Sequence, residues 1–445
     1  MNPLLIADGQ VFDGTGTPPA AAAVLIVADK IAAVGEEALA RARHLDACQR
    51  FDARGMTVMP GLIDAHCHIS FDEVSSNDEL FFHRRQSLAA IIAARNVRKL
   101  LTAGVTGFFD ADSIFELGID LRDAIEAGVV EGPRMTTGAY AMLTSVGGTA
   151  GRLIPEEGII GYGKVVRTMD EIRIEVRRQI KAGADWIKVH VTGLVPRQRA
   201  AGELQVWSSD ELKLVCDVAH DLGTPVVGHC RGAKSVLSAV RAGFDLILHA
   251  TGMDEAAMEA VVAARIPIAP TLTFQANLAD YGEAVGADPH LQEIFRREIA
   301  DSAASLRAVH KAGVPLLCGS ESGFSLTPYG EWHHRELEVL VHHIGLTPLQ
   351  ALRCATLEGA HALRLGGRTG RIAAGQLADV IVIDGDPSKD VSLLGRRERL
   401  KLVVANGRPV DLGQASPPRR SIPGWRVNAY GTILTQDKVP PALRR

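Results

Sequence analysis

Eight strand-like apolar runs, each followed by a segment of helical pattern, constrain this chain more than any other feature of its 445 residues. The first is Pro60-Gly61-Leu62-Ile63-Asp64-Ala65-His66-Cys67-His68. Gly104 to Asp110, Pro133 to Thr136, Trp186 to His190 and Thr224 to His229 continue the series; Phe244 to His249, Ile266 to Pro270 and Val314 to Gly319 complete it. Between them, Ser208-Ser209-Asp210-Glu211-Leu212 and Thr347-Pro348 carry helix-start signals. Repeated Ala-Gly steps (Ala103-Gly104, Ala182-Gly183, Ala242-Gly243, Ala312-Gly313) read as helix C-caps that feed the next strand. Eight such units in roughly 300 residues fit an α/β fold, a (β/α)8 TIM barrel, better than an open doubly wound sheet. No Gly-rich dinucleotide or phosphate-loop fingerprint follows any of the runs.

The two ends of the chain read differently. Leu4-Leu5-Ile6, Val24-Leu25-Ile26-Val27 and Ile31-Ala32-Ala33-Val34 are short β runs, the last two flanking the turn at Asp29-Lys30. The pattern returns in Val380-Ile381-Val382-Ile383 and Leu402-Val403-Val404. The expectation is a small β-sandwich built from residues 1–57 and 369–413, a barrel over 58–368, and a tail over 414–445 rich in Pro and Arg. Whether that tail is ordered or wraps a neighbouring subunit stays open at this stage.

Composition excludes several classes. Apolar residues make up 47% and aromatics only 5%, so the core is built mainly from Ala, Val, Leu and Ile, as buried parallel strands require. Net charge is −4 with no basic block, which points away from a nucleic-acid partner. No apolar run approaches the ~20 residues that span a bilayer, and the N-terminus lacks a leader pattern. Six scattered cysteines (Cys48, Cys67, Cys216, Cys230, Cys318, Cys354) without C-x-x-C spacing suggest neither a disulfide framework nor a zinc knuckle. The expectation is a soluble, cytoplasmic homo-oligomer acting on a small molecule.

Residues i and i+2 of a strand share a face, so His66 and His68 aim two imidazoles at one spot, which suits a divalent metal. Alone, such a pair is as readily a polar or core pair. A barrel, however, gathers its active site at the C-terminal ends of its strands, where Lys188, His229 and His249 also lie. A charged lysine there is costly unless it is paired or chemically altered.

With these motifs and the closing Leu377-Ala378-Asp379-Val380-Ile381-Val382, the chain resembles the amidohydrolase superfamily over roughly residues 3 to 410. Trp186-Ile187-Lys188-Val189 and Gly345-Leu346-Thr347-Pro348-Leu349-Gln350-Ala351-Leu352 are most like the imidazolonepropionase and prolidase-related branch, with phenylurea hydrolase and molinate hydrolase as named relatives. The resemblance implies two divalent metal ions, zinc first and cobalt, manganese or iron as alternatives. His66 and His68 would hold one ion and His229 and His249 the other, bridged by a Lys188 carboxylated by CO2. The metals would acidify a bridging water towards hydroxide and polarise a substrate carbonyl.

Three departures matter. Where the family has an Asp after the eighth strand, this chain has Glu321, the expected general acid/base and a further metal ligand. Arg231 stands where a second His is common, and Val146-Gly147-Gly148-Thr149 replaces a Gly-Gly-His. Arg231, His190 and Tyr140 are the substrate-contact candidates, each balanced against ordinary packing. Asp110 and Asp112 either orient ligands or cap a loop, and His333-His334 and His342-His343 read as a solvated or interface helix face. The expected activity is hydrolysis of an amide, urea or carbamate-type C–N bond. Alternatives are an Xaa-Pro or N-acyl amino acid hydrolase, a mononuclear deaminase and a non-catalytic scaffold. Cys230-Arg231-Gly232-Ala233 lacks the Glu a deaminase has after the fifth-strand His.

Overall fold

A computed structural model describes residues 2–71, 84–148, 162–194, 203–413 and 434–443 of the chain; Thr149 and the first part of the expected tail lie outside them. Strands form where the apolar runs stand: Leu62–Cys67, Val105–Asp110, Arg134–Thr137, Ile187–His190, Val226–Arg231, Leu246–Thr251 and Ile268–Ala269. The first three pair in parallel, and so do the fourth to the seventh. These ladders form separate sheets and do not close. Single seams join them instead. Asp185 and Trp186 N–H donate to Thr137 O between the third and fourth strands. The eighth run sits between the seventh and first, with Leu317 N–H donating to Ile268 O at 2.8 Å and Ala65 N–H to Cys318 O at 2.7 Å. Pro267 and Pro315 offer carbonyls but no N–H, which cuts the ladders short there.

The interior of this ring is filled by Ala65, Phe109, Trp186, Val227, Leu246, Leu248, Ala269 and Leu317, the third strand contributing none. A second, larger core lies between the strands and their helices. The helix Ser209–Asp221 starts on a capping box of Ser208 and Glu211, and Pro348–Arg353 starts on one formed by Thr347 and Gln350. Gly104, Gly183, Gly243 and Gly313 all adopt positive φ, the left-handed conformation expected of Ala-Gly helix ends.

Both chain ends enter one eight-stranded sheet rather than two facing sheets. Its order runs Arg408–Pro409, Leu400–Ala405, Val380–Asp384, Met56–Pro60, Leu4–Val11, Ala20–Val27 and Lys30–Val34, with Gln49–Asp52 also on Leu4–Val11. Val58 lies opposite Val382 in an antiparallel pair. The sheet curls far enough for Lys30 to bridge Leu377, enclosing Ile6, Val24, Ile26, Ile31, Val58, Val380, Val382 and Val404. Met56–Pro60 continues through Gly61 straight into the first barrel strand. A Cβ on Gly61 would come within 2.0 Å of Thr106 Oγ1, so only glycine lets the two barrel strands approach here. Arg134 Nε donates to Asp379 Oδ2 at 2.6 Å and ties the barrel to the sheet a second time. The described end of the tail packs on the barrel: Leu434 is fully buried, and its carbonyl accepts from Trp332 Nε1 at 2.9 Å.

Candidate metal centre

The register between the first two barrel strands shifts between Asp64 and Cys67. Such a bulge re-aims side chains: Ala65 faces the barrel core, yet His66 and His68 both reach the strand-end cluster. There the rings of His66 and His68 lie 5.0 Å apart, His66 and His249 5.3 Å, and His229 and His249 4.4 Å. Ligand atoms of His66, His249 and Glu321 all lie within 4.8 Å of one another. Two of these three residues, His249 and Glu321, are non-glycine residues at positive φ, 71° and 54°. Backbone strain of this kind gathers where surroundings dictate a side chain's aim.

Each histidine of the cluster is oriented through one ring nitrogen or left open at both. His66 Nδ1 lies 3.0 Å from Thr271 Oγ1, and its Nε2 is buried with no hydrogen-bond partner among the described residues. His68 Nδ1 lies 3.0 Å from the Asp112 carbonyl, and the ring stacks on Phe71. His229 Nε2 meets Glu203 Oε2 at 2.8 Å. Neither nitrogen of His249 has a hydrogen-bond partner among the described residues. Buried polar atoms are nearly always satisfied, so orphaned imidazole nitrogens converging with a carboxylate fit a metal ion. Burial pushes all four imidazoles down, His68 and His229 to about 4, so they are neutral and able to ligate at ordinary pH.

Lys188 is buried in the same cluster, with Nζ 3.3 Å from Asp112 Oδ1. That carboxylate also lies 3.3 Å from His68 and 3.6 Å from His190. Burial works against its charge, but the Lys188 ammonium and His68 hold it well below the usual carboxylate range. Burial pushes Glu321 the other way, up to about 7, against Arg231 and Lys188. Its N–H donates to His66 O at 2.7 Å, and Oε1 lies 3.9 Å from His249 Nε2.

The substrate-contact candidates separate. His190 shares the cluster, its ring 5.3 Å from that of His229. Arg231 reaches it too, but its guanidinium already faces Glu298 at 3.0 Å and Glu203 at 3.7 Å. Tyr140 is not brought in. Positive φ at Ala139 turns the chain, and the Tyr140 ring lies under Arg178, 5.6 Å away.

Other polar residues support the cluster. Asp64 accepts from His66 N–H at 3.2 Å, Ser320 N–H at 2.9 Å, Ser320 Oγ at 2.5 Å and His333 Nδ1 at 2.7 Å, which binds the first strand to the eighth run beside Glu321. His333 and His334 are buried, not a solvated face, while His342 is exposed. Asp64, Cys67 and His333 also gather closely enough to suggest a metal. They fit one poorly, because Gly330 N–H occupies His333 Nε2 and burial keeps Cys67 a thiol. Asp110 accepts from Ile69 N–H and Thr137 Oγ1, both at 2.9 Å, and so braces the loop after His68. Glu203, Thr271 and Ser320 stand in no motif; only their polar character at strand-adjacent turns could have flagged them.

Residues 57–410 match the amidohydrolase family. The chain belongs to that family. This amidohydrolase is 28% identical over 430 residues to ochratoxinase of Aspergillus niger, covering 91% of this chain and 86% of that one. A prolidase solved in complex with N-methylphosphonate-L-proline superposes with a TM-score of 0.77 at 27% identity, over 92% of this chain and 99% of its own. Molinate hydrolase superposes at 0.75 with 21% identity, over 95% and 99%, a likeness of fold alone. Like these neighbours, the amidohydrolase has TIM-barrel-type α/β architecture. It is a hydrolase acting on carbon–nitrogen bonds. No helix among its described residues is long and apolar enough to cross a membrane.

Proposed function

We propose that this amidohydrolase is a metal-dependent enzyme cleaving an amide-type C–N bond in a small molecule. The convergence of His66, His249 and Glu321 around orphaned imidazole nitrogens carries that reading. His66 and His68 would hold one divalent ion and His229 and His249 a second, zinc first among the candidates. Carboxylation would turn Lys188 from an ammonium paired with Asp112 into an anionic ligand between them. Divalent metal bound there would polarise the scissile carbonyl and acidify water.

The chain's own residues do the rest. Glu321, with its carboxyl near neutrality, takes a proton from water and passes it to the leaving nitrogen. Its backbone bond to His66 O holds it beside the histidines. Asp64 ties the first strand to Ser320, the neighbour of Glu321, and so holds Glu321 in place beside the histidines.

For substrate, the ochratoxinase and prolidase likenesses favour N-acyl amino acids, Xaa-Pro dipeptides included, with ureas and thiocarbamates second. The test is metal analysis of the purified protein, then dialysis against zinc, cobalt, manganese and iron. A hydrolysis screen across N-acyl amino acids, Xaa-Pro dipeptides, N-aryl ureas and thiocarbamates follows. Turnover of the first two classes with metal is expected. Failure to take up any metal would overturn the reading in favour of a scaffold, and turnover of ureas alone would overturn the substrate class.

A further inference from the structure

We propose that Glu203 is the positioning residue of His229, selecting which of its ring nitrogens is offered to a metal; this rests on the metal-dependent reading above. Glu203 directly precedes Leu204–Gln205, which pairs antiparallel with Thr192–Leu194 beyond the fourth barrel strand, and it stands outside every motif. Its side chain is largely buried, 12% exposed.

The hydrogen bond has one possible direction. An ionised carboxylate only accepts, so the 2.8 Å contact requires His229 Nε2 to carry the proton. The neutral ring then bears its lone pair on Nδ1, the nitrogen turned away from Glu203. The first-strand pair is built the other way round. The Asp112 carbonyl can only accept, so His68 donates from Nδ1 and offers Nε2. His66 is likewise held at Nδ1, by Thr271, with Nε2 orphaned. His229 therefore presents the opposite nitrogen to His66 and His68, and Glu203 makes the difference.

Glu203 is itself fixed. Thr192 Oγ1 donates to the same Oε2 at 2.7 Å, and the Thr192 hydroxyl oxygen accepts from Arg231 N–H at 3.2 Å. Arg231 Nε stands 3.7 Å from Oε1. Donors from the fifth strand thus reach Glu203 by two routes, through Thr192 from Arg231 and directly from His229. Carboxylate partners of this kind set ligand tautomer and basicity, and their loss typically costs 10–100-fold in metal affinity.

The experiment uses the full-length protein stripped of metal and titrated with Zn²⁺ and Co²⁺ against a chromophoric chelator. Wild type, Glu203→Ala and Glu203→Gln are compared, with melting temperatures of the metal-free proteins measured alongside. Glu203→Ala is expected to keep one tight ion and bind the second roughly 10–100-fold more weakly, with an altered Co²⁺ visible spectrum. Glu203→Gln, whose amide oxygen still accepts from Nε2–H, is expected to recover most of that loss. Unchanged affinity in Glu203→Ala overturns the proposal while leaving metal dependence intact. So does equal loss in both variants, which would mean that the charge ligates directly. A wild-type protein that binds no metal overturns the functional reading together with this one.

Discussion

Replacing His333 by alanine should destabilise the protein severely, although the sequence places this residue on an unremarkable helix. His333 is 6% exposed. Because Gly330 N–H donates to its Nε2 at 3.0 Å, the proton sits on Nδ1 and is donated to Asp64 at 2.7 Å. Alanine removes that charge-assisted bond, worth about 1.5–3 kcal/mol, and orphans the buried Gly330 N–H at about 1–3 kcal/mol. Allowing for partial relaxation, a loss of about 3–5 kcal/mol follows, against less than about 0.5 kcal/mol for His342→Ala at an exposed site. Urea unfolding followed by tryptophan fluorescence and circular dichroism gives both values. A folded His333→Ala protein within about 1 kcal/mol of wild type would refute the role given to the Asp64 network. The same variant should lose kcat faster than it loses bound metal, since the network joins the Glu321 segment to the first strand.

Three further outcomes are expected. Glu321→Gln should abolish turnover while retaining most bound metal in elemental analysis; full activity would remove Glu321 from the proton path. Burial pushes the Glu336 carboxyl from 4.5 up to about 7 against bonds from Thr273 and Leu272. Its contribution is therefore complete below the unfolded value near 4.5 and lost as pH rises through 7, by up to about 3 kcal/mol. Glu336→Gln should flatten the melting temperature against pH across that window, and an unchanged slope would contradict the assignment. Gly61→Ala should cost several kcal/mol, because Thr106 is a buried β-branched residue that cannot move clear of a Cβ 2.0 Å from its Oγ1. Adding Thr106→Gly should restore part of the loss in the same unfolding assay.

The barrel strands and the histidine and lysine set were legible because each leaves a local mark: an apolar run, a polar residue at its end, an Ala-Gly step before the next. His66 and His68 meet as a period-two reading requires, although the strand's register shifts between Asp64 and Cys67. Tyr140 misses the cluster for the converse reason: a left-handed Ala139, invisible in the residue pattern, redirects the chain. Glu203 and His333 depend on contacts made across 26 and 269 positions of sequence, to His229 and to Asp64. No local periodicity encodes such distances. The ends of the chain illustrate the same limit, since strand character was plain but one curled sheet formed where two facing sheets were expected.

That curled sheet also orders events during synthesis. Val58 must wait for Val382 before its strand has a partner on that side, a delay of roughly 15–65 s at ~5–20 residues per second of translation. Until then Met56–Pro60 emerges as an unpaired β edge fused directly to the segment bearing His66 and His68. Unpaired edges invite association with other chains. The strand that leads into His66 and His68 is therefore exposed to misassembly on the ribosome, and chains that stall before Val380 should be prone to aggregate.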